Sequence, residues 1–206
     1  MHLKRQKAAI KLPIPRKGTK YIARALSNLN NSVTVVIAVR DMLKLARTAA
    51  EVKKMIHRKL LKINGKNVKD YRESIRLFNL FEADKPYILT LLPTGKFTLE
   101  ESKEKNIRLC KIINKKLIKN NSIQLNLHDG SNIISKEPIS VGDSVLLDLA
   151  GKIKKHIPLE RGREAIIIEG KYLGLNGKIE NVKDNLITIK IEEKTTMLPK
   201  RQVIAR

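Results

Sequence analysis

The chain has 206 residues, 43 of them Lys or Arg against 20 Asp or Glu, and carries a net charge of +23 with His neutral. A surplus of that size repels itself unless a polyanion neutralises it. Hydrophobic residues at 42% argue against wholesale disorder, and the single cysteine, Cys110, excludes a disulfide-stapled scaffold.

The first 40 residues hold nine bases and no acid. Lys4, Arg5, Lys7, Lys11, Arg16, Lys17, Lys20 and Arg24 stand there among Pro13, Pro15 and Gly18, with little apolar periodicity. The expectation is a basic N-terminal extension over 1–32, disordered alone and ordered along phosphates as counterions leave. Met1 to Arg24 has no apolar run of the signal-peptide kind, and Ala25 to Val39 is too short and polar to span a membrane. A soluble cytoplasmic protein without membrane partners is expected. Lys outnumbers Arg 30 to 13, and Trp is absent beside four Tyr and three Phe. That balance favours reading a folded RNA or duplex by backbone and shape over stacking unpaired bases.

Val33 to Val39 reads as a strand by propensity. Its apolar pattern continues through Met42, Leu43, Leu45 and Ala46 at helical spacing, which predicts a helix over about 33–46. Thr48-Ala49-Ala50-Glu51 is a capping-box pattern that opens a second helix, ending near Leu61. Val52, Met55, Ile56 and Leu60 share its apolar face, and Lys53, Lys54, His57 and Arg58 take the solvent side. Lys62-Ile63 and Lys66-Asn67-Val68 flank Asn64-Gly65, the positive-φ pair of a two-residue hairpin. Short strands then follow at Leu77–Glu82, Tyr87–Leu92, Phe97–Leu99, Ile107–Ile118, Ile123–Leu127, Ile133–Ile134 and Val145–Leu149, with turn signals between them. A last β unit starts near Arg161.

In that last unit Ala165-Ile166-Ile167-Ile168 enters a loop with Gly170, Gly174 and Gly177 and leaves as Lys178-Ile179. Glycines permit positive φ and close approach of a phosphate backbone, with Lys171 and Lys178 supplying charge beside it. The spacing is neither a dinucleotide nor a P-loop fingerprint. It resembles a KOW motif, the strand–loop–strand core of an SH3-like barrel, although an ordinary Gly-rich hairpin would read similarly. The order helix, capped basic helix, Asn-Gly hairpin resembles the S-four RNA-binding fold. The matching positions are Lys53, Lys54, Arg58, Lys62 and Lys66, with Arg40, Lys44 and Arg47 nearby; a merely solvated basic face is the alternative.

Further segments stand in order with these: His2-Leu3-Lys4-Arg5, Pro13 to Gly18, Val39 to Lys44, Leu109-Cys110-Lys111, His128-Asp129-Gly130 and Val141 to Val145. Together they resemble the small-subunit ribosomal protein family "S-four-e" of archaea and eukaryotes, with departures at Ile10 and Tyr21. The resemblance implies an α+β, β-rich chain. Its parts would be the extension, an S-four-like domain at 33–90, a central β domain at 91–160 and a KOW SH3-like domain at 161–206. It also implies small-subunit rRNA and neighbouring small-subunit proteins as partners.

An enzyme is not expected. His128-Asp129 sits in a Gly130 turn, no Cys/His cluster has zinc spacing, and no nucleophile, base and orienter gather. Cofactors and small-molecule substrates are likewise not expected. The rival readings are a KOW-containing transcription factor and a nonspecific nucleic-acid-binding protein.

Overall fold

The computed structural model describes residues 3–102, 106–118, 122–192 and 194–206; His2 of the first motif lies outside them. The chain divides into two units, Met1–Lys105 and Asn106–Arg206.

The first unit opens with the stretch expected to be disordered, and that expectation is corrected. β1 (Leu3–Lys4) pairs antiparallel with β2 (Tyr21–Ile22). Between them the Arg5 guanidinium donates to the Pro15 carbonyl at 2.7 Å and to the carbonyl and hydroxyl of Thr19 at 2.8 Å. Leu12 is buried, and the Phe97 N–H donates to the Lys11 carbonyl at 2.8 Å. A loop too polar to build a core is thus closed by one guanidinium, whose fork satisfies several acceptors at once.

β3 (Ser32–Thr34) replaces the start of the expected helix. α1 (Val35–Ile37) follows and winds on into a π-helical turn at Ala38–Met42. Strand propensity wins for two residues and helical periodicity for the rest. The Thr34 hydroxyl caps α1 by accepting the Ile37 N–H at 3.4 Å. The Val35 and Val36 N–H groups, which the helix cannot satisfy, donate to the carbonyls of Glu73 and Tyr71. Lys44, at φ 57°, turns the chain out.

α2 (Ala49–His57) begins as the capping pattern predicts, with the Glu51 N–H donating to the Thr48 hydroxyl at 3.3 Å. The Glu51 carboxylate reaches one residue further back than a standard box, accepting the Arg47 N–H at 2.7 Å, and that bond lowers its pKa. The helix stops at His57 rather than Leu61 because Lys59 sits at φ 57°. Val52 and Ile56 are buried, while Leu60, expected on the same face, is 52% exposed.

β4 (Lys62–Ile63) and β5 (Lys66–Asn67) form the expected hairpin, with φ of 50° at Asn64 and 76° at Gly65. β6 (Ser74–Arg76) pairs with β3, placing Val33 opposite Ile75. β7 (Leu80–Glu82) is separated from it by Phe78 at φ 60°, so the strand expected over Leu77–Glu82 starts only at Leu80, and β6 before it was not anticipated. β8 (Pro86–Leu91) and β9 (Phe97–Glu101) complete a five-stranded sheet in the order β5-β4-β7-β8-β9. The expected domain boundary at 90/91 falls inside this sheet.

The second unit holds two five-stranded antiparallel sheets. The first comprises β10 (Ile107–Leu117), β11 (Ile123–Leu127), β12 (Asn132–Ser135), β13 (Ser144–Asp148) and β14 (Ile153–Ile157), ordered β12-β11-β10-β13-β14. The second comprises β15 (Glu164–Ile167), β16 (Asn176–Lys183), β17 (Leu186–Ile191), β18 (Lys194–Pro199) and β19 (Val203–Ala205), ordered β18-β17-β16-β15-β19. Alternation along β10 and β13 serves two cores. Cys110, Ile112, Val145 and Leu147 join Leu125 and Leu127 on one side, and Leu109 and Leu146 pack against the core of the second sheet.

Lys111 lies at the junction of these two sheets. It is only 4% exposed, and its ammonium donates to the Lys200 carbonyl at 2.6 Å and the Val203 carbonyl at 2.7 Å. These carbonyls flank the short 3-10 turn Lys200–Gln202 before β19. Burial lowers the Lys111 pKa to about 8, against the opposing pull of Glu169. Nearby, Arg108 and Asp129 form a buried ion pair, and Asp129 also accepts the Ser131 N–H at 2.9 Å. His128 Nδ1 accepts the Lys111 N–H at 3.1 Å, so the His128-Asp129 pair is tied up in holding its turn.

Folded Lys111 sheds its proton near pH 8, whereas an unfolded lysine does so near 10.5. Between those values the unfolded chain binds more protons, so this group's contribution to stability rises with pH. The parent protein should gain stability relative to Lys111→Met as pH increases across that window. Urea titrations at both ends would decide it, and a difference independent of pH contradicts the assignment. For the N-terminal loop, Arg5→Ala removes three hydrogen bonds, each contributing about 1 kcal/mol. Amide exchange at Tyr21 and Ile22 should then quicken by at least about tenfold; unchanged exchange would mean the loop closes without the guanidinium.

Candidate nucleic-acid interface

In the first unit the basic face is assembled from α2 and the β4–β5 hairpin. Lys53, Lys54, His57 and Arg58 are all exposed, opposite the buried Val52 and Ile56. The hairpin is fixed beside the helix by two neighbours that it must bury, Leu61 and Val68, joined through the Val68 N–H to the Leu61 carbonyl at 3.0 Å. Its tip is pinned at Asn64, whose amide oxygen accepts the Leu80 N–H at 2.9 Å. Lys66 is exposed on the returning strand. Lys54 and Arg58 on α2 and Lys66 on the hairpin are thus exposed on rigid backbone, and among the described residues the ion pairs engage other bases.

Several residues expected on the interface are engaged elsewhere. Arg5 is consumed by its own loop. The Lys11 ammonium donates to the Asn31 side-chain oxygen at 2.5 Å. Arg40 grips Asp41 at 2.8 Å, and Lys62 reaches Glu82 at 3.6 Å across the β4–β7 pair. Arg24 is half-buried. Lys4, Lys7, Arg16, Lys17, Lys20, Lys44 and Arg47 stay exposed. Arg40 and Asp41 are half-buried, and their pair keeps the guanidinium engaged at 2.8 Å.

In the second unit Gly170 and Gly174 have φ of 91° and 83°, the backbone state anticipated for the loop. The loop is folded on itself, with the Gly174 N–H donating to the Ile167 carbonyl at 2.8 Å. Lys171 is exposed, its ammonium 5.9 Å from the Tyr172 ring centre. Gly177 is different: it lies in β16 without positive φ, and a Cβ there would strike the Ile189 side chain and stand 2.7 Å from the Lys190 carbonyl. Its lack of a side chain serves the packing of β16 on β17. Lys178 is exposed directly opposite Lys190, also exposed. Like charges facing each other across strands are destabilising, and the exposed Glu164, opposite Lys178 on β15, offsets part of that repulsion.

Lys190 was not legible as an interface residue because only strand register makes it a neighbour of Lys178. Lys59 and Lys69 were missed for a similar reason. They flank the helix and the hairpin, and they meet across a groove that also takes in His57 and Tyr71. Among the described residues no cluster of three or more His, Cys, Asp or Glu could hold a metal ion, and no helix is long and apolar enough to cross a membrane.

The sequence profile described as "Ribosomal family S4e" matches residues 83–153. The small ribosomal subunit protein eS4 of Methanocella arvoryzae is 33% identical over 189 residues, which span 88% of this chain and 81% of that protein. The protein of the same name from Methanocaldococcus jannaschii is 33% identical over 198 residues, with the same shares covered. The crystal structure of the 30S ribosomal protein S4e from Thermoplasma acidophilum superposes with a TM-score of 0.72 at 26% identity, covering 85% of this chain and 94% of that one. Few helices, antiparallel sheets throughout and identity above 30% over most of the length lead to one conclusion: the chain belongs to the S4e family of ribosomal proteins.

Proposed function

We propose that the chain is a structural component of the small ribosomal subunit that binds and stabilises small-subunit rRNA through its lysine-rich faces. Membership of the S4e family makes it a ribosomal, non-enzymatic protein of the cytoplasm. The binding mode is our reading, and one observation carries it. α2 exposes Lys54 and Arg58 and the adjoining Asn64-Gly65 hairpin exposes Lys66, all on pinned backbone, with the local carboxylates occupied elsewhere. We read this helix–hairpin pair as an S-four-like RNA-binding element. The sheet from β15 to β19 we read as a KOW SH3-like element, whose loop presents Lys171 and whose facing strands present Lys178 and Lys190 to phosphates.

Binding of this kind is architectural. Lysine ammoniums neutralise phosphates and release condensed counterions, so affinity falls steeply with salt. Folded modules on short, pinned hairpins present those charges at fixed spacing, which selects a folded RNA surface by shape. Neighbouring small-subunit proteins are the second expected class of partner. The N-terminal loop, closed by Arg5, offers Lys4, Lys7, Arg16, Lys17 and Lys20 as a preformed basic lobe.

The triple substitution Lys54→Ala, Arg58→Ala, Lys66→Ala should lower the log–log salt slope for small-subunit rRNA by up to about 2.7, at about 0.9 per phosphate contact. Thermal unfolding should hardly change, because these side chains are exposed. Anisotropy titrations across a salt series provide the readout, and an unaltered slope would remove this face from the interface. Gly177→Ala should behave oppositely. It overpacks β16 against β17 and should cost about 1–3 kcal/mol of stability. Where the variant stays folded, the salt slope should match the parent's.

A further inference from the structure

We infer that the groove between α2 and the 67–71 segment seats one unpaired nucleotide, the base on its apolar floor and the phosphate among the cations of its rim. The inference rests on the rRNA-binding reading and adds a local, base-dependent site to it. The groove encloses about 560 Å³, within the roughly 300–1,000 Å³ of small-ligand sites. Its apolar lining comes from Ile56, Val68 and Tyr71. Lys53, His57, Lys59 and Lys69 stand around it, with the Asn67 amide alongside. Mixed apolar floor and basic rim match a ligand with a flat face at one end and a phosphate at the other.

The walls are already in place without ligand. The Glu73 carboxylate accepts the N–H groups of Lys69 at 2.6 Å and Asp70 at 3.0 Å. The Tyr71 carbonyl accepts the Val36 N–H at 3.0 Å, tying the segment to α1. On the other side Lys59 holds φ 57°, while the Lys53 ammonium and the Arg72 guanidinium lie 4.9 and 5.6 Å from the Tyr71 ring centre, so a base stacking on Tyr71 displaces one of these cations toward its phosphate. Asp70, the one acid lining the groove, is gripped by the Arg72 guanidinium at 2.9 Å, so it repels an anion weakly. The carbonyls at the end of α2 also offer little repulsion, because those of Lys54, Met55 and Ile56 accept the N–H groups of Arg58, Leu60 and Lys59. A duplex offers phosphates but no free base for the floor. An acidic peptide offers charge but no plane to fill it.

The test compares three probes on the full chain by amide NMR and anisotropy: a four-nucleotide adenosine strand, an abasic ribose–phosphate strand of the same length, and a blunt RNA duplex. The base-bearing strand should shift the amides of His57, Asn67 and Lys69 saturably and bind at least about fivefold more tightly than the abasic one, the factor expected from stacking a single base. Tyr71→Leu, which alters no charge, should erase that difference and leave duplex binding unchanged. Equal affinity for base-bearing and abasic strands overturns the site, even with a destabilised Tyr71 variant, because the comparison needs only the parent protein. Tighter saturation of the same amides by an octaglutamate peptide overturns it in favour of a protein-docking groove. Failure of the broader reading looks different: small-subunit rRNA itself would then leave the α2 and hairpin amides unmoved.

Discussion

Carboxylates are scarce in this chain, and where they go decides where the positive charge is left. With 20 acids for 43 bases, a random scatter of surface pairs would leave a diffuse excess. Some acids pair with bases, as Asp41, Glu82 and Glu101 do, and others accept backbone N–H groups. Glu51 takes that of Arg47, Glu73 those of Lys69 and Asp70, Asp129 that of Ser131, and Asp143 those of Ser140 and Leu159. A carboxylate accepting backbone donors forms charge-assisted hydrogen bonds that fix turns. The outcome is a frame whose corners are tied by anions and whose faces are left to cations.

The same economy explains why the basic faces are rigid. Lysine side chains are flexible point charges, so spacing must come from the backbone that carries them. α2 supplies it through Thr48 and Glu51 at its start and Lys59 at its end, and the hairpin through Asn64 held against Leu80. In the second unit the facing lysines 178 and 190 are held by a ladder that Gly177 permits, since any side chain there would collide with β17. Lys111 departs from surface placement, a cation held inside that joins two sheets through backbone carbonyls.

Much of this was readable from residue order. The capped helix at Thr48, the Asn64-Gly65 hairpin, the long β10 and the strands β11, β12, β13 and β15 follow from caps, positive-φ pairs and alternation, whereas β14 and β17 to β19 were not individually foreseen. The N-terminal loop was not, because counting charges cannot reveal that Arg5 finds three acceptors 10 and 14 residues away. The start of α1 was misjudged because Val33 and Thr34 satisfy both periods, and pairing with β6 settled the matter. Of the candidate interface, Lys53, Lys54, Arg58 and Lys66 were legible as one face of a helix plus a turn. Arg5, Arg40 and Lys62 were legible only as charges, not as charges with partners.

Sequence alone determined the sign of the partner, the absence of a disulfide frame, the β-rich class and the family resemblance, because these depend on composition and on contacts a few residues apart. Tertiary structure decided which cations remain free, since ion pairing such as Lys62 with Glu82 depends on strands that meet only after folding. It also decided that Gly177 answers to packing and that Lys190 belongs beside Lys178. Register brings together residues far apart in the chain, and no local pattern encodes that distance.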